Sequence, residues 1–148
     1  MKTLGKILAF AALVASLPVL AAFGPGEMII VLNSGDGSVS IVDPVQKKEV
    51  KRIPVGKEPH HLMATPDNKE LIVANAASND LVFLDPKTGE IRRRIEGISD
   101  PYQIGYSPDR KWFVSASNRL DRVDLYTGSD FKLVKRFPTG KVPSHIAF

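Results

Sequence analysis

The sequence has no cysteine among its 148 residues. That excludes a disulfide framework, a thiolate metal cluster, a cysteine nucleophile and a lipidated cysteine. Aromatic residues are sparse, at 7%, whereas a surface for single-stranded nucleic acid needs them interleaved with its basic side chains. No Gly-rich phosphate loop, Ser-His-Asp signature or His-x-x-x-His spacing occurs, so the phosphate-cradle, triad and zinc-helix motifs are missing. What remains is ordinary globular composition, 43% hydrophobic and 24% charged, with length for one domain. A net charge of +4 does not imply a specific nucleic-acid partner.

The one long apolar run lies at the N-terminus. Lys2 and Lys6 form a basic leader, Ile7 to Leu17 is apolar apart from Ser16, and Pro18 precedes the small residues Val19-Leu20-Ala21-Ala22. That order predicts a secretory signal peptide over residues 1–21, with Val19 and Ala21 at the −3 and −1 positions. The run is short for a span of roughly 30 Å of hydrocarbon, so the alternative of a retained anchor is less favoured. Loss of Lys2 and Lys6 lowers the net charge from +4 to +2. The mature chain is expected to be periplasmic or secreted, without a transmembrane span.

Residues 22–148 carry an internal repeat. Pro59, Pro101 and Pro143 stand 42 residues apart, and the same step relates Pro66-Asp67 to Pro108-Asp109, Asn33 to Asn75, and Asp43-Pro44 to Asp85-Pro86. A period of 40–45 residues belongs to propeller blades or helical pairs. The apolar runs within each period are four or five residues long and bounded by Gly, Asn, Asp, Ser or Pro, as in Met28–Leu32, Leu71–Ala74 and Leu81–Leu84. Helices need longer runs at three- and four-residue spacing; short strands joined by tight turns fit. The expected fold is all-β, a β-propeller of four-stranded antiparallel blades about 42 residues long. Blade one contributes strands B to D over about 27–55, blade two spans about 59–97, blade three about 101–138, and 143–148 supplies the first strand of a further blade. In blade three, Asp124 is taken as the partner of Asp85, with three added residues before Pro143 restoring register. Closed propellers have four to eight blades, so about three blades make an incomplete ring, either part of a longer propeller or completed by self-association.

The stretches Ile53-Pro54-Val55-Gly56-Lys57-Glu58-Pro59, Thr65-Pro66-Asp67-Asn68-Lys69, Leu71-Ile72-Val73-Ala74-Asn75 and Val82-Phe83-Leu84-Asp85-Pro86-Lys87-Thr88-Gly89 resemble the YVTN-type β-propeller repeat. The resemblance covers about 27–148 and weakens in blade three, where Ser115-Ala116-Ser117-Asn118 replaces valine-alanine-asparagine. It implies an exported propeller, related to surface-layer proteins and to the haem-binding propeller of dissimilatory nitrite reductases, with sugar lactonases more distant. A fold of this kind hosts many functions.

All three histidines fall on the expected innermost strand. His60 and His61 follow Pro59, His145 follows Pro143 by two, and Gln103 holds the same place after Pro101. His60, His61, Gln103 and His145 are therefore the candidate ligand-binding row at the central channel. The resemblance to the nitrite-reductase propeller makes His60 or His61 a candidate axial haem ligand. Against this stand the absence of a Cys-x-x-Cys-His site for a companion haem and the two-blade separation of His61 from His145. The favoured expectation is no cofactor, with haem as the alternative, and an exported non-catalytic scaffold binding a protein or small ligand. The repeated Asn33, Asp43, Asp67, Asn75, Asp85, Asp109 and Asp124, with Pro59, Pro101 and Pro143, are read as structural turn residues. Basic clusters Lys47-Lys48, Lys51-Arg52, Arg92-Arg93-Arg94 and Lys132/Lys135-Arg136 fall on the outermost strands or their approach, where charge discourages edge pairing; the alternative is a surface for an anionic partner. Arg119 and Arg122 are read as solvated.

Overall fold

A computed structural model describes residues 28–148; the signal-peptide expectation lies outside them. The strands are β1 (Ile29–Asn33), β2 (Ser38–Asp43), β3 (Lys48–Pro54), β4 (Pro59–Ala64), β5 (Leu71–Asn75), β6 (Asp80–Leu84), β7 (Ile91–Glu96), β8 (Gln103–Tyr106), β9 (Trp112–Ser117), β10 (Arg122–Thr127) and β11 (Leu133–Pro138). They form three antiparallel sheets ordered β1-β2-β3, β4-β5-β6-β7 and β11-β10-β9-β8. Each sheet is a meander of neighbouring strands, which needs only short turns. The sheets meet along their inner strands, β4 lying beside both β1 and β8. This is an all-β, incomplete propeller of about three blades.

Backbone torsions carry the 42-residue period more sharply than the side chains do. Left-handed φ angles recur at Gly37, Asn79 and Asp121, at Lys47, Gly89 and Phe131, at Glu58, Asp100 and Val142, and at Asn68 and Arg110. Such angles are costly for residues with a Cβ, so their persistence at Val142 and Phe131 shows that the turn geometry, not local preference, sets them. The turn chemistry repeats as well. Asp67 Oδ1 accepts from the Thr65 hydroxyl at 2.7 Å and the Lys69 amide at 3.1 Å, and Asp109 Oδ1 from Ser107 at 2.6 Å and Lys111 at 3.2 Å. Asp43 and Asp85 each accept two amides of the turn that follows, at 2.7–2.9 Å. Gly56 backs onto the Asn75 and Ser78 side chains, where a Cβ would lie only 2.6–2.7 Å away.

Two apolar cores lie between the blades. Val39, Ile41, Ile53 and Val55 of blade one meet Val73, Val82 and Leu84 of blade two. Ile72, Ala74, Leu81 and Phe83 of blade two meet Phe113, Tyr126 and Phe131 of blade three. Alternation along each central strand of blade two sends one set of side chains to each neighbour. The fully buried Phe83, Leu81, Val73 and Val82 show why β5 and β6 read as almost unbroken apolar runs.

Three sequence expectations need correction. Asp124 does not end a strand: it sits inside β10, fully buried, in ion pairs with Arg122 at 2.8 Å and Arg136 at 3.5 Å. The register is unbroken, and Thr127 holds the place of Asp85, its hydroxyl bonding Asp130 and accepting the Lys132 amide. Residues 143–148 form no strand, because a strand needs a ladder partner and none pairs with this segment among the described residues. Nor are Arg119 and Arg122 simply solvated, since each is ion-paired to a buried aspartate, Asp100 and Asp124. Most basic residues of the outermost strands are exposed, as expected, and several are also held by neighbours. Arg94 bonds Asp80 and the Val55 carbonyl, Arg93 bonds Glu70 at 2.7 Å with its guanidinium 3.5 Å from the Phe83 ring centroid, and Lys51 reaches the Thr88 carbonyl.

Candidate functional site at the inner rim

The links that lead into β4 and β8 gather at one end of the blades with the turns that follow β1, β5 and β9. Ala76 N donates to Glu58 O at 2.9 Å, Val55 N to Gly37 O at 2.9 Å and Tyr102 N to Ala116 O at 3.0 Å. Side chains tighten the same junction. Asn79 Oδ1 accepts the Asp100 amide at 2.8 Å, and Asp121 Oδ1 accepts the Val142 amide at 2.9 Å, one period later. Arg119 spans two links, holding Asp100 at 2.9 Å and Glu58 at 2.8 Å. Asp100 is buried, so this pair is shielded from water more than an ordinary surface bridge. Arg119 is thus a clamp between links, which its charge in the sequence could not reveal.

Pro59, Pro101 and Pro143 start the inner segments, and the next two residues of each line this rim. His60 is exposed and stacks on Tyr102, with ring centroids 3.5 Å apart and planes 30° apart. His60 Nδ1 lies 3.2 Å from the Tyr102 carbonyl oxygen. A carbonyl only accepts, so the contact requires the proton on Nδ1 and leaves Nε2 with a lone pair when the ring is neutral. His61 is half-buried. Burial, then the charges of His60 and His145, push its pKa below the ordinary value of 6.5. His145 is exposed, with Nδ1 3.0 Å from the Ser144 hydroxyl. Gln103 holds the matching register, half-buried opposite Ala116 on β9.

The predicted row is therefore partly assembled: the three histidines lie close enough to influence one another, and Gln103 marks the intervening blade. Tyr102 was missed. It occupies the place of His60 one period on, so the repeat itself could have found it. Among the described residues, no three His, Asp or Glu side chains gather closely enough to hold a metal ion.

The far end of the blades has a different character. A cleft of about 300 Å³ is lined by Asp67, Glu70, Arg93, Tyr106, Arg110 and Phe131, among others. Burial raises the Tyr106 phenol to about 12, so it stays protonated and can donate a hydrogen bond. Glu70 and Arg93 already neutralise one another there.

A family model for YNCE-like β-propellers matches residues 3–148. The chain belongs to that family. Solved structures of similar shape include hydrazine synthase of Kuenenia stuttgartiensis, at 24% identity and a TM-score of 0.62, over 77% of this chain and 33% of that one. The periplasmic gluconolactonase PpgL of Pseudomonas aeruginosa matches at 18% identity and a TM-score of 0.64, over 78% and 38%. The dihydro-heme d1 dehydrogenase NirN matches at 20% identity and a TM-score of 0.57, over 75% and 24%. This YNCE-like chain thus spans between about a quarter and two fifths of each of these structures, and at such identities the likeness is one of fold. No curated protein matches it.

Proposed function

We propose that this chain is part of an exported β-propeller that binds rather than converts its ligand, a scaffold whose contact surface is the inner rim of His60, His61, Tyr102, Gln103 and His145. The observation that carries this reading is the gathering of three imidazoles and a phenol ring at one end of the inner segments. Propeller sites commonly lie where blades converge, and recognition there needs a few convergent polar groups. His61 is held towards the neutral form, and His60 offers a lone pair beside a flat aromatic surface. Such a rim suits a small ligand with hydrogen-bond donors or a planar ring. The binding reading is supported further by how the repeated carboxylates are used. Asp43, Asp67, Asp85 and Asp109 are committed to amides of their own turns, whereas acid–base catalysis needs a carboxylate free to exchange protons.

A second reading, a haem-bearing propeller, is favoured by one observation. The His60 Nδ1–carbonyl contact is the outer hydrogen bond that orients a metal-ligating imidazole. His60 would hold such a group through Nε2, and among the described residues no protein-only metal site accompanies it. Haem would supply redox-active iron; this chain's own part would be to orient His60 and cover it with Tyr102.

The test titrates the mature protein with hemin and with gluconolactone while following histidine ring signals. Ligand-induced shifts at His60, His61 and His145 without product formation are expected. Lactone turnover, or shifts confined to the far cleft, would contradict the proposal. Absence of a Soret band on natively purified protein and after hemin addition sinks the haem reading alone. The pH dependence has a fixed sign. The folded-state pKa of His61 lies below 6.5, so the unfolded chain binds that proton first on acidification. Stability is full above pH 6.5 and falls as pH drops from there towards the folded-state value, whereas binding by the neutral His61 ring persists below pH 6.5 and is lost only as pH falls through that lower value.

A further inference from the structure

The cleft at the far end of the blades lies between the second and third sheets, and its residues exceed what the repeat requires there. One period earlier, the positions of Tyr106, Arg110 and Phe131 are held by Ala64, Asn68 and Gly89. Arg110 takes a left-handed φ of 62° where Asn68 has 57°. Asparagine visits that region readily, whereas arginine adopts it against its preference. The turn itself therefore has no need of an arginine, and strained positions of this kind cluster at ligand clamps.

The polar groups of the cleft divide into satisfied acceptors and unused donors. Glu70 is paired with Arg93 at 2.7 Å. Asp67 accepts from the Thr65 hydroxyl and the Lys69 amide, with the Lys69 ammonium 3.7 Å away. Among the described residues, the Arg110 guanidinium, the Tyr106 phenol and the Ser129 hydroxyl make no hydrogen bond or ion pair, and all three residues line the cleft. Burial keeps the phenol protonated, hence a donor. Gly128 N donates to Lys111 O at 2.7 Å, and a Cβ on Gly128 would run into the Arg110 carbonyl. The wall that carries Arg110 and Ser129 is thereby fixed in place. Tyr106 and Phe131, with ring centroids 6.3 Å apart, supply an aromatic side.

We propose that this cleft binds a small planar monocarboxylate, with the Arg110 fork on the carboxylate and Tyr106 and Ser129 donating to its acceptors. A guanidinium presents paired N–H groups that match a carboxylate. A single charge is specified because, among the described residues, Arg110 is the one unpaired cation lining the cleft, and a second negative charge would face Glu70 and Asp67. A volume of about 300 Å³ is at the lower end of ligand pockets and suits an occupant of about one ring. The cleft is separate from the rim, and this inference does not rest on the ligand reading there.

Benzoate is titrated into the protein by calorimetry, with benzamide and inorganic phosphate alongside, while the Tyr106 and histidine ring signals are followed by NMR. Saturable benzoate binding that moves Tyr106 and leaves the three histidine rings in place is expected, with benzamide and phosphate about tenfold weaker or worse. Arg110→Asn installs the residue that blade two carries at this turn, so the melting temperature is expected to hold or rise while benzoate affinity falls about tenfold. Tyr106→Phe keeps the ring, loses the donor and is expected to lower affinity about threefold. No saturable benzoate binding, equal binding of benzamide, an affinity unchanged by Arg110→Asn, or shifts at the histidines in place of Tyr106 overturns the inference.

Discussion

The two blade interfaces occupy the same register and are filled with different chemistry. Between blades one and two, the positions Leu71, Leu84 and Gly89 face Ile41 and Ile53, and Gly89 lies so close to both isoleucines that a Cβ would come within 2.6 Å. One period on, the same three positions are Phe113, Tyr126 and Phe131, which pack on Phe83 and one another. The Phe113 and Phe131 centroids are 4.9 Å apart with planes at 71°, and Phe83 and Phe131 are 5.6 Å apart at 74°, the edge-to-face arrangement aromatic quadrupoles favour. The polar groups change places too. Blade two pairs Asp80 with Arg94 and puts Val82 in the core; blade three puts Arg122 at the first position and the buried Asp124 at the second, with Arg136 in the place of Arg94. The repeat dictates where side chains go, and each interface is then packed in its own way.

The largest expected effect separates those packings. Phe113→Ala is expected to cost about 3–5 kcal/mol, and Leu71→Ala at the equivalent, half-exposed position about 2 kcal/mol; chemical denaturation of both variants checks the ordering. Asp124→Asn leaves two arginines facing an uncharged group and is expected to cost about 3 kcal/mol. If position, not residue type, governs, the double variant Arg122→Asp with Asp124→Val recreates the blade-two arrangement and recovers part of that loss. Equal costs would instead be the sign of equivalence in the turns. Thr65 and Ser107 are both buried and accept the amides of Glu70 and Trp112 at 3.0 and 3.1 Å, so replacing either by alanine should cost about 1–2 kcal/mol. Unequal melting shifts would break the equivalence. Smallest of all, Lys47→Gly relieves a left-handed residue on the surface and should stabilise by about 0.5 kcal/mol. Phe131→Gly, at the same torsion two periods on, destabilises because its ring is part of the core.

Much of the fold could be read from the chain because short β-branched runs, Pro-Asp turns and a fixed step of 42 residues all point to stacked meanders. The apolar runs Leu71–Ala74 and Leu81–Leu84 fall within β5 and β6, each strand reaching one residue further, the usual uncertainty where strands meet turns. The misplacement of Asp124 has a definite cause. Asp124 is an aspartate close to the repeat of Asp85, but the turn needs an oxygen acceptor and a left-handed residue, which Thr127 and Phe131 provide. The rim was visible as a histidine row, yet Tyr102 and the Arg119 clamp were not, since stacking and cross-link ion pairs depend on how links from different blades converge. Arg93 was hidden for the same reason: a triple-arginine strand looks solvated until Glu70 and Phe83 are placed beneath it.

The most direct test of the stacked repeat is a nuclear Overhauser measurement at two positions one period apart. The account predicts close contacts from Gly89 Hα to the Ile41 and Ile53 δ-methyl groups, together with ring-to-ring contacts between Phe131 and Phe83. Strong cross-strand contacts within each sheet, with either of these inter-blade contacts missing, would contradict it.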